Sequence, residues 1–230
     1  LPIENSLAGS IHRNYDLLLE HNLHIVGEYF LRVQHCLIAL PGATMEDIHK
    51  IISHPQALAQ CDHYLRSLPG VTSEAVFDTA GSVRIIREQG DSHMAAIASR
   101  RAAVVYGLPI LVDGIEDHPG NYTRFLAVAP NPSDYHREAK TSIVFTLRNL
   151  PGALYKALSV FALRDIDLYK IESRPLVGQL WEYFFYIDFA GHVSETPCKR
   201  ALDHLREMAL FLRVLGSYPR DDLQLPVESP

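Results

Sequence analysis

Cysteine is scarce in this 230-residue chain, and Cys36, Cys61 and Cys198 form an odd set with no C-x-x-C pair. That argues against a disulfide framework or a thiolate zinc site, and it suits a reducing compartment. Basic charge is in deficit, with 21 Lys and Arg against 27 Asp and Glu; the formal net charge of −6 excludes an evident nucleic-acid footprint. No stretch approaches the roughly 18 uninterrupted apolar residues of a membrane-spanning helix. The H-E-x-x-H, Walker A, G-x-G-x-x-G and G-x-S-x-G signatures are missing. With them goes the motif support for zinc-protease, phosphate-loop, dinucleotide and α/β-hydrolase chemistry. Twelve histidines are present, but their spacing makes no ligand set, and no metal site is expected. The start Leu1-Pro2-Ile3 shows neither Met nor a leader, and reads as a mature terminus or a cut. What is present is ordinary: 47% hydrophobic and 21% charged residues, enough for a real core in one or two domains.

Over the first 130 residues, short helix and strand signals alternate. Ser10 reads as the cap of a helix running to about His21, and Leu23–Phe30 and Val33–Leu40 read as strands. Thr44 with Asp47 resembles a capping box, Ile51-Ile52-Ser53 is a short apolar run, and Pro55 suits the first position of a helix over Gln56–Leu68. Val71–Phe77 predicts a strand, and Asp78 or Thr79 caps a helix to about Gly90. Ala95–Ala98 is a small-residue strand, after which Ser99 caps a helix that Gly107 ends. This alternation predicts a parallel or mixed α/β sheet. Tyr122–Ala129 is strand-like, and Pro130-Asn131-Pro132-Ser133 is a linker. From Lys140 a second pattern begins: strands at Ser142–Leu147, Asp167–Ser173, Trp181–Phe189 and Leu210–Tyr218, with helices from Pro151 to Leu163 and over Thr196–Met208. In order that is β-α-β-β-α-β, the ferredoxin-like split unit, followed by a polar, proline-bearing tail.

Several strand-to-helix junctions are small and polar: Glu4-Asn5-Ser6 ahead of Ser10, Ser53-His54-Pro55 with Gln60 beyond it, and Asp78 to Ser82. Each is explained by helix capping alone; together such junctions can also hold an anion on backbone N–H groups and hydroxyls. Arg124, between Thr123 and Phe125 after a Pro-Gly turn, carries a fork that matches a carboxylate, or is an exposed edge-strand arginine. Gly152, with Ala153 and Leu154, makes a small-residue turn that lets another backbone or a small ligand approach; a tight turn is the plainer reading. Glu172-Ser173-Arg174-Pro175 ends a strand with charge.

Taken in order, Ile3-Glu4-Asn5-Ser6, Ser53-His54-Pro55-Gln56 with Gln60-Cys61, Thr123-Arg124-Phe125, Gly152-Ala153-Leu154 and Glu172-Ser173-Arg174-Pro175 resemble the prephenate dehydratase family, which includes the plant-type arogenate dehydratases. The resemblance runs from Leu1 to about Tyr218. It implies an α/β catalytic domain of the two-lobed, type II periplasmic-binding-protein kind over residues 1–132, an ACT regulatory domain over 140–219 and a tail at 220–230. The family carries a further N-terminal stretch with most of the first lobe, so the chain is expected to begin at a cut just before the hinge, leaving apolar surface uncovered.

The implied reaction is the decarboxylating dehydration of prephenate to phenylpyruvate, without a cofactor, in phenylalanine biosynthesis. Arogenate is the alternative substrate, and a non-catalytic phenylalanine-binding module is the alternative for a fragment. By resemblance, Thr123 is the catalytic residue, donating a hydrogen bond to the departing hydroxyl. Arg124 is expected at a substrate carboxylate, directly or by fixing the cleft, with Asn5, Ser6, Ser53 and Gln60 as polar positioners. Asp78 and Glu4 complete the set; Glu4 is expected to orient Arg124 or a nearby amide, because a bare carboxylate repels a dianion. L-phenylalanine is the implied effector, bound through Gly152, Ala153 and Leu154 with Glu172, Ser173, Arg174 and Pro175. The implied state is a homodimer or homotetramer, in the cytoplasm or, in a plant, the plastid, with neither nucleic acid nor membrane as partner.

Overall fold

The computed structural model describes residues 1–134, 138–176 and 181–221, so most of the expected tail lies outside the described residues. Contacts divide the chain into two units: Leu1–Leu31 with everything from Thr123 on, and Arg32–Tyr122. This grouping cuts across the sequence division at 132 and 140.

The first unit opens with β1 (Pro2–Asn5), β2 (Gly9–Ser10), α1 (His12–Glu20) and β3 (His24–Arg32). Ser10 does not cap α1; Ile11 holds that position without a side-chain cap, and Ser10 pairs with Glu4 across the β1–β2 hairpin.

The second unit contains β4 (Cys36–Ala39), β5 (Lys50–Ser53), α2 (Pro55–Ala59), α3 (Asp62–Arg66), β6 (Thr72–Ala75), α4 (Thr79–Gln89), β7 (Met94–Ala98), α5 (Arg100–Tyr106) and β8 (Ile110–Asp113). They build a mixed sheet in the order β6-β5-β7-β4-β8. In it β5 runs parallel to β6 and β7, while β4 runs antiparallel to β7 and β8. The local signals act as their chemistry requires. Asp78 accepts from the amides of Ala80 and Gly81, Ser99 accepts from Ala102, and Gly90 and Gly107 end their helices in the left-handed conformation. The one helix expected over 56–68 is instead two, because Asp117 intervenes at the break. Its amide donates to the Gln60 carbonyl at 2.8 Å, and its carboxylate accepts from the His63 amide at 3.1 Å. Both sheet faces are buried, by Ile38, Ile52, Val83 and Ile86 on one side and Leu37, Ile51, Ala57 and Ile97 on the other. That is why β4 and β7 read as continuous apolar runs.

The first unit resumes with β9 (Tyr122–Ala129), β10 (Ala139–Leu147), α6 (Ala153–Ala162), β11 (Leu168–Pro175), β12 (Tyr183–Ala190), α7 (Thr196–Met208) and β13 (Ala209–Pro219). Its strands form two sheets, β2-β1-β9-β3 and β11-β12-β10-β13. The second is antiparallel throughout, with the first and third of its strands in chain order at the centre, which is ferredoxin-like topology. One of its faces packs on α6 and α7 through Phe145, Phe161, Ile187, Phe189 and Leu205. The other packs on α1 and the first sheet through Ile3, Tyr15, Leu18, Ile25, Leu126, Val144 and Tyr218. Covered on both faces, β10 is buried along its whole length, polar Lys140, Thr141 and Ser142 included.

The two sheets of this unit meet where Gly216 allows it. A Cβ there would lie 2.0 Å from the Ile25 carbonyl oxygen, so backbone presses directly on backbone. Gly216→Ala is therefore expected to destabilise the protein by about 1–3 kcal/mol, read as a lowered urea midpoint at unchanged slope. An unchanged midpoint would mean that the sheets are not in such contact.

All three cysteines are free and buried. Burial raises the Cys36 and Cys61 thiols from the ordinary 9 to about 12, and Cys198 to about 11. The unfolded chain releases these protons at lower pH than the fold does, so the linked stability is whole below about pH 9 and declines as pH rises toward the folded values. The urea midpoint should fall steadily over that alkaline range; a flat profile would contradict the burial.

Candidate active site

Thr123 lies near the start of β9, opposite Asn5 of β1 in the antiparallel register. Asn5 Nδ2 donates to Thr123 Oγ1 at 3.1 Å. The direction of that bond is fixed locally, because Asn5 Oδ1 already accepts the amides of Leu7 at 3.0 Å and Ala8 at 2.8 Å. With the amide oxygen engaged in this turn, only the NH₂ group can face the threonine. The Thr123 oxygen is thus an acceptor from Asn5, and its own O–H is directed elsewhere. Ser6 sits exposed in the same hairpin turn.

Arg124, next along β9, is buried and its fork is occupied by protein groups. Nε donates to Glu28 at 2.8 Å, Nη1 to Asp188 at 2.6 Å and Nη2 to the Tyr218 hydroxyl at 3.0 Å. Burial works against the guanidinium charge, but Asp188 and Glu28 outweigh it, and the pKa lies above its ordinary value. Lys140 joins Glu28 at 2.5 Å, and Ser142 donates to Asp188 at 2.5 Å. Burial, followed by the charge of Asp188, holds the Tyr218 phenol well above its ordinary pKa, so it stays neutral. Of the two roles expected for Arg124, direct capture of a substrate carboxylate loses its basis in this geometry. The cation is enclosed and already paired. Glu28, Asp188, Lys140, Ser142 and Tyr218 were not singled out from sequence; the available signal was a run of polar residues, Lys140 to Ser142, leading into an apolar strand.

Glu4 also differs from expectation. It faces Arg124 across the β1–β9 ladder, yet its carboxylate pairs with Lys170 of β11 at 2.8 Å. Lys170 reaches Ser10 Oγ as well, at 3.1 Å, and that hydroxyl donates to Glu172 at 2.7 Å. Arg174 grips both carboxylate oxygens of Asp16 on α1 at 3.0 Å. The strand alternation therefore splits the Glu172–Pro175 motif. Glu172 and Arg174 engage the amino-terminal segment, while Ser173 and Pro175 are exposed.

Gly152 is the left-handed residue that starts α6, with φ of 78°. Beside it lies a cavity of about 100 Å³ lined by Leu150, Ala153, Leu154, Trp181, Tyr183 and Phe185. None of Glu172, Ser173, Arg174 and Pro175 lines it; Ser173 and Pro175 pair in the ladder with its lining residues Phe185 and Tyr183.

Ser53, Gln60 and Asp78 belong to the second unit and each has a structural task. Ser53 is fully buried and donates to the Ile97 carbonyl at 2.6 Å, tying β5 to β7, so it does not line a cleft. Gln60 Oε1 lies 2.8 Å from the ring Nε2 of buried His35. Asp78 uses both carboxylate oxygens to cap α4. No helix among the described residues is long and apolar enough to cross a membrane.

Comparison with known proteins adds the following. A sequence model of prephenate dehydratase matches residues 1–133. Arogenate dehydratase/prephenate dehydratase 2, chloroplastic, of Arabidopsis thaliana is 53% identical over 98% of this chain and 62% of its own length. The chain thus spans about three fifths of that curated relative. Among solved structures, prephenate dehydratase of Arthrobacter aurescens in complex with L-Phe superimposes with a TM-score of 0.84 at 34% identity, covering 96% of this chain and 74% of its own. A protein described as a novel type of quorum-quenching acylase gives a TM-score of 0.87 at 39% identity, covering 96% and 81%.

The Asn5–Thr123 bond can be measured without an activity assay. Asn5→Ala removes the NH₂ donor together with the turn bonds, whose loss cancels in the cycle, and Thr123→Val keeps the side-chain volume. A double-mutant cycle on urea stability should give a coupling of about 0.5–1.5 kcal/mol, and additivity would show that the bond is not formed.

Proposed function

The chain belongs to the prephenate dehydratase family, and from that premise we propose that it catalyses loss of carbon dioxide and water from prephenate, giving phenylpyruvate. The observation that carries the reading is the polarised Thr123 hydroxyl. It accepts from Asn5 and is left with its own proton to offer. Prephenate breaks a C–C bond to its ring carboxylate and a C–O bond to its ring hydroxyl, and the electron pair released by decarboxylation completes the aromatic ring. The departing hydroxide takes up a proton that solvent supplies and leaves as water, while the ring carboxylate leaves as carbon dioxide. Aromatisation supplies the driving force, so the protein must orient the dianion and stabilise the charge that grows on the leaving oxygen. A threonine is too weak an acid to titrate at neutral pH, and it acts as a hydrogen-bond donor that strengthens as the C–O bond lengthens. Donation from Asn5 makes its O–H a better donor. Among the described residues the side-chain hydrogen bond to Thr123 comes from Asn5, a neutral amide, and not from a base. This favours donation over the nucleophilic attack that acyl transfer requires.

Arogenate, with an ammonium where prephenate has a keto group, is the second substrate to test, since the 53% identical relative is named for both activities. In this reading residues 1–132 are the catalytic domain and 140–219 an ACT domain that binds L-phenylalanine. The cavity at Ala153 and Leu154, next in sequence to Gly152, with its Trp181 and Phe185 walls, offers the aromatic ring a place. Exposed Ser173 and Pro175 supply the adjoining strand edge. The edge strand β11 exposes Tyr169 and Ile171, which suits pairing with a second copy. The chloroplastic relative makes the plastid the proposed compartment.

Purified protein is expected to convert prephenate, arogenate or both. Thr123→Val should lower kcat by about 10²–10³-fold while KM changes little, the signature of a group that acts mainly in the transition state. Turnover of neither substrate by the wild-type chain, or a variant that loses only affinity, would overturn the assignment.

A further inference from the structure

We propose that Arg124 is a positioning residue for the Thr123 hydroxyl, and that the ferredoxin-like sheet supplies most of the clamp through which it acts. The proposal rests on the reading of Thr123 as the donor to the leaving group.

Successive residues of a strand point to opposite faces, so fixing the side chain of Arg124 fixes the direction in which its neighbour points. The fork is held at three places by three strands. Glu28 comes from β3, in the same sheet as β9, whereas Asp188 comes from β12 and Tyr218 from β13. These partners are themselves held. Asp188 accepts from Ser142 of β10 at 2.5 Å, the Ser142 and Tyr218 hydroxyls lie 2.7 Å apart, and Glu28 carries Lys140 of β10. Arg124 and Lys140 supply two positive charges, and Glu28 and Asp188 two negative ones, so the cluster is neutral within itself. It has no surplus charge to offer a dianion. A planar guanidinium fastened at Nε, Nη1 and Nη2 cannot turn about its own axis, which makes it an orientation device rather than a point charge.

Catalysis by a hydrogen-bond donor depends on its aim, and a misplacement of about 1 Å can cost on the order of 10²-fold in rate. Asp188, Ser142 and Tyr218 thus bear on catalysis without touching substrate. Loosening the clamp lets β9 shift and misdirects the Thr123 hydroxyl, so the loss is expected in kcat rather than in KM.

The test uses the full chain with Asp188→Asn and the milder Tyr218→Phe, which removes a single hydroxyl. Asp188→Asn should lower kcat by about tenfold or more, and Tyr218→Phe by about threefold, each with KM within about twofold of wild type. Asp188→Glu, which restores the charge, should recover part of the rate. A rise in KM at unchanged kcat would assign Arg124 to substrate binding and overturn the proposal, as would unchanged kcat in both folded variants. If Asp188→Asn does not fold, Tyr218→Phe decides alone. If wild type turns over neither prephenate nor arogenate, the dehydratase reading fails separately, and hydrogen exchange then judges the clamp. Faster exchange of the β9 amides in Tyr218→Phe sustains it, and equal exchange refutes it.

Discussion

The buried ion pairs of Arg124 with Glu28 and Asp188 are the constraint on which the first unit depends. They place a charge where burial alone would oppose it, and they tie two sheets by bonds that neither sheet could satisfy from its own ladder. Removing one partner of such a pair leaves an uncompensated buried charge, which costs about 3–5 kcal/mol, a large part of a domain's stability. Apolar packing of the same shape would hold the sheets together as well. What the ionic version adds is direction, since a fork with three fixed partners accepts one arrangement of β9 against β12 and β13. The backbone contact of Gly216 on Ile25 reinforces the same junction from a neighbouring position.

The proposed chemistry follows from that fixed strand. Thr123 sits on the opposite face of β9 from Arg124 and receives the Asn5 amide, whose orientation is set by a three-residue turn in the hairpin. In the proposed reaction the donor would thus be settled before a substrate arrives, the condition for stabilising a transition state without reorganisation. Strand β12 has two ends of interest. Tyr183 and Phe185 line the cavity beside Gly152, and Asp188 closes on Arg124. The candidate effector cavity and the candidate catalytic strand therefore share one strand.

Much of this was legible in the sequence where the cause is local. Pro55, Asp78, Ser99, Gly90 and Gly107 mark helix ends because capping depends only on neighbours, and the β-α-β-β-α-β order from residue 140 survives intact. The helix break at Gln60 was hidden because its cause, Asp117, lies far along the chain. The strands β1 and β8, four residues each with little alternation, carry too short a pattern to read. The T-R-F element could be recognised as a motif. The partners of Arg124, 64 and 96 residues away, could not, because a buried ion pair leaves no periodicity behind. That distance also explains why Arg124 read as either a carboxylate-binding or an exposed edge-strand arginine. In sequence it has polar neighbours and no visible counter-charge.

The central claim is that the Arg124 clamp acts on catalysis only through Thr123. The most direct measurement is kcat for Thr123→Val, Asp188→Asn and the double variant. If Asp188 works by aiming the hydroxyl, it has nothing left to aim once the hydroxyl is gone, and the double variant should match Thr123→Val within about twofold. Losses that multiply in the double variant would show that the clamp and the threonine act independently, and would contradict the account.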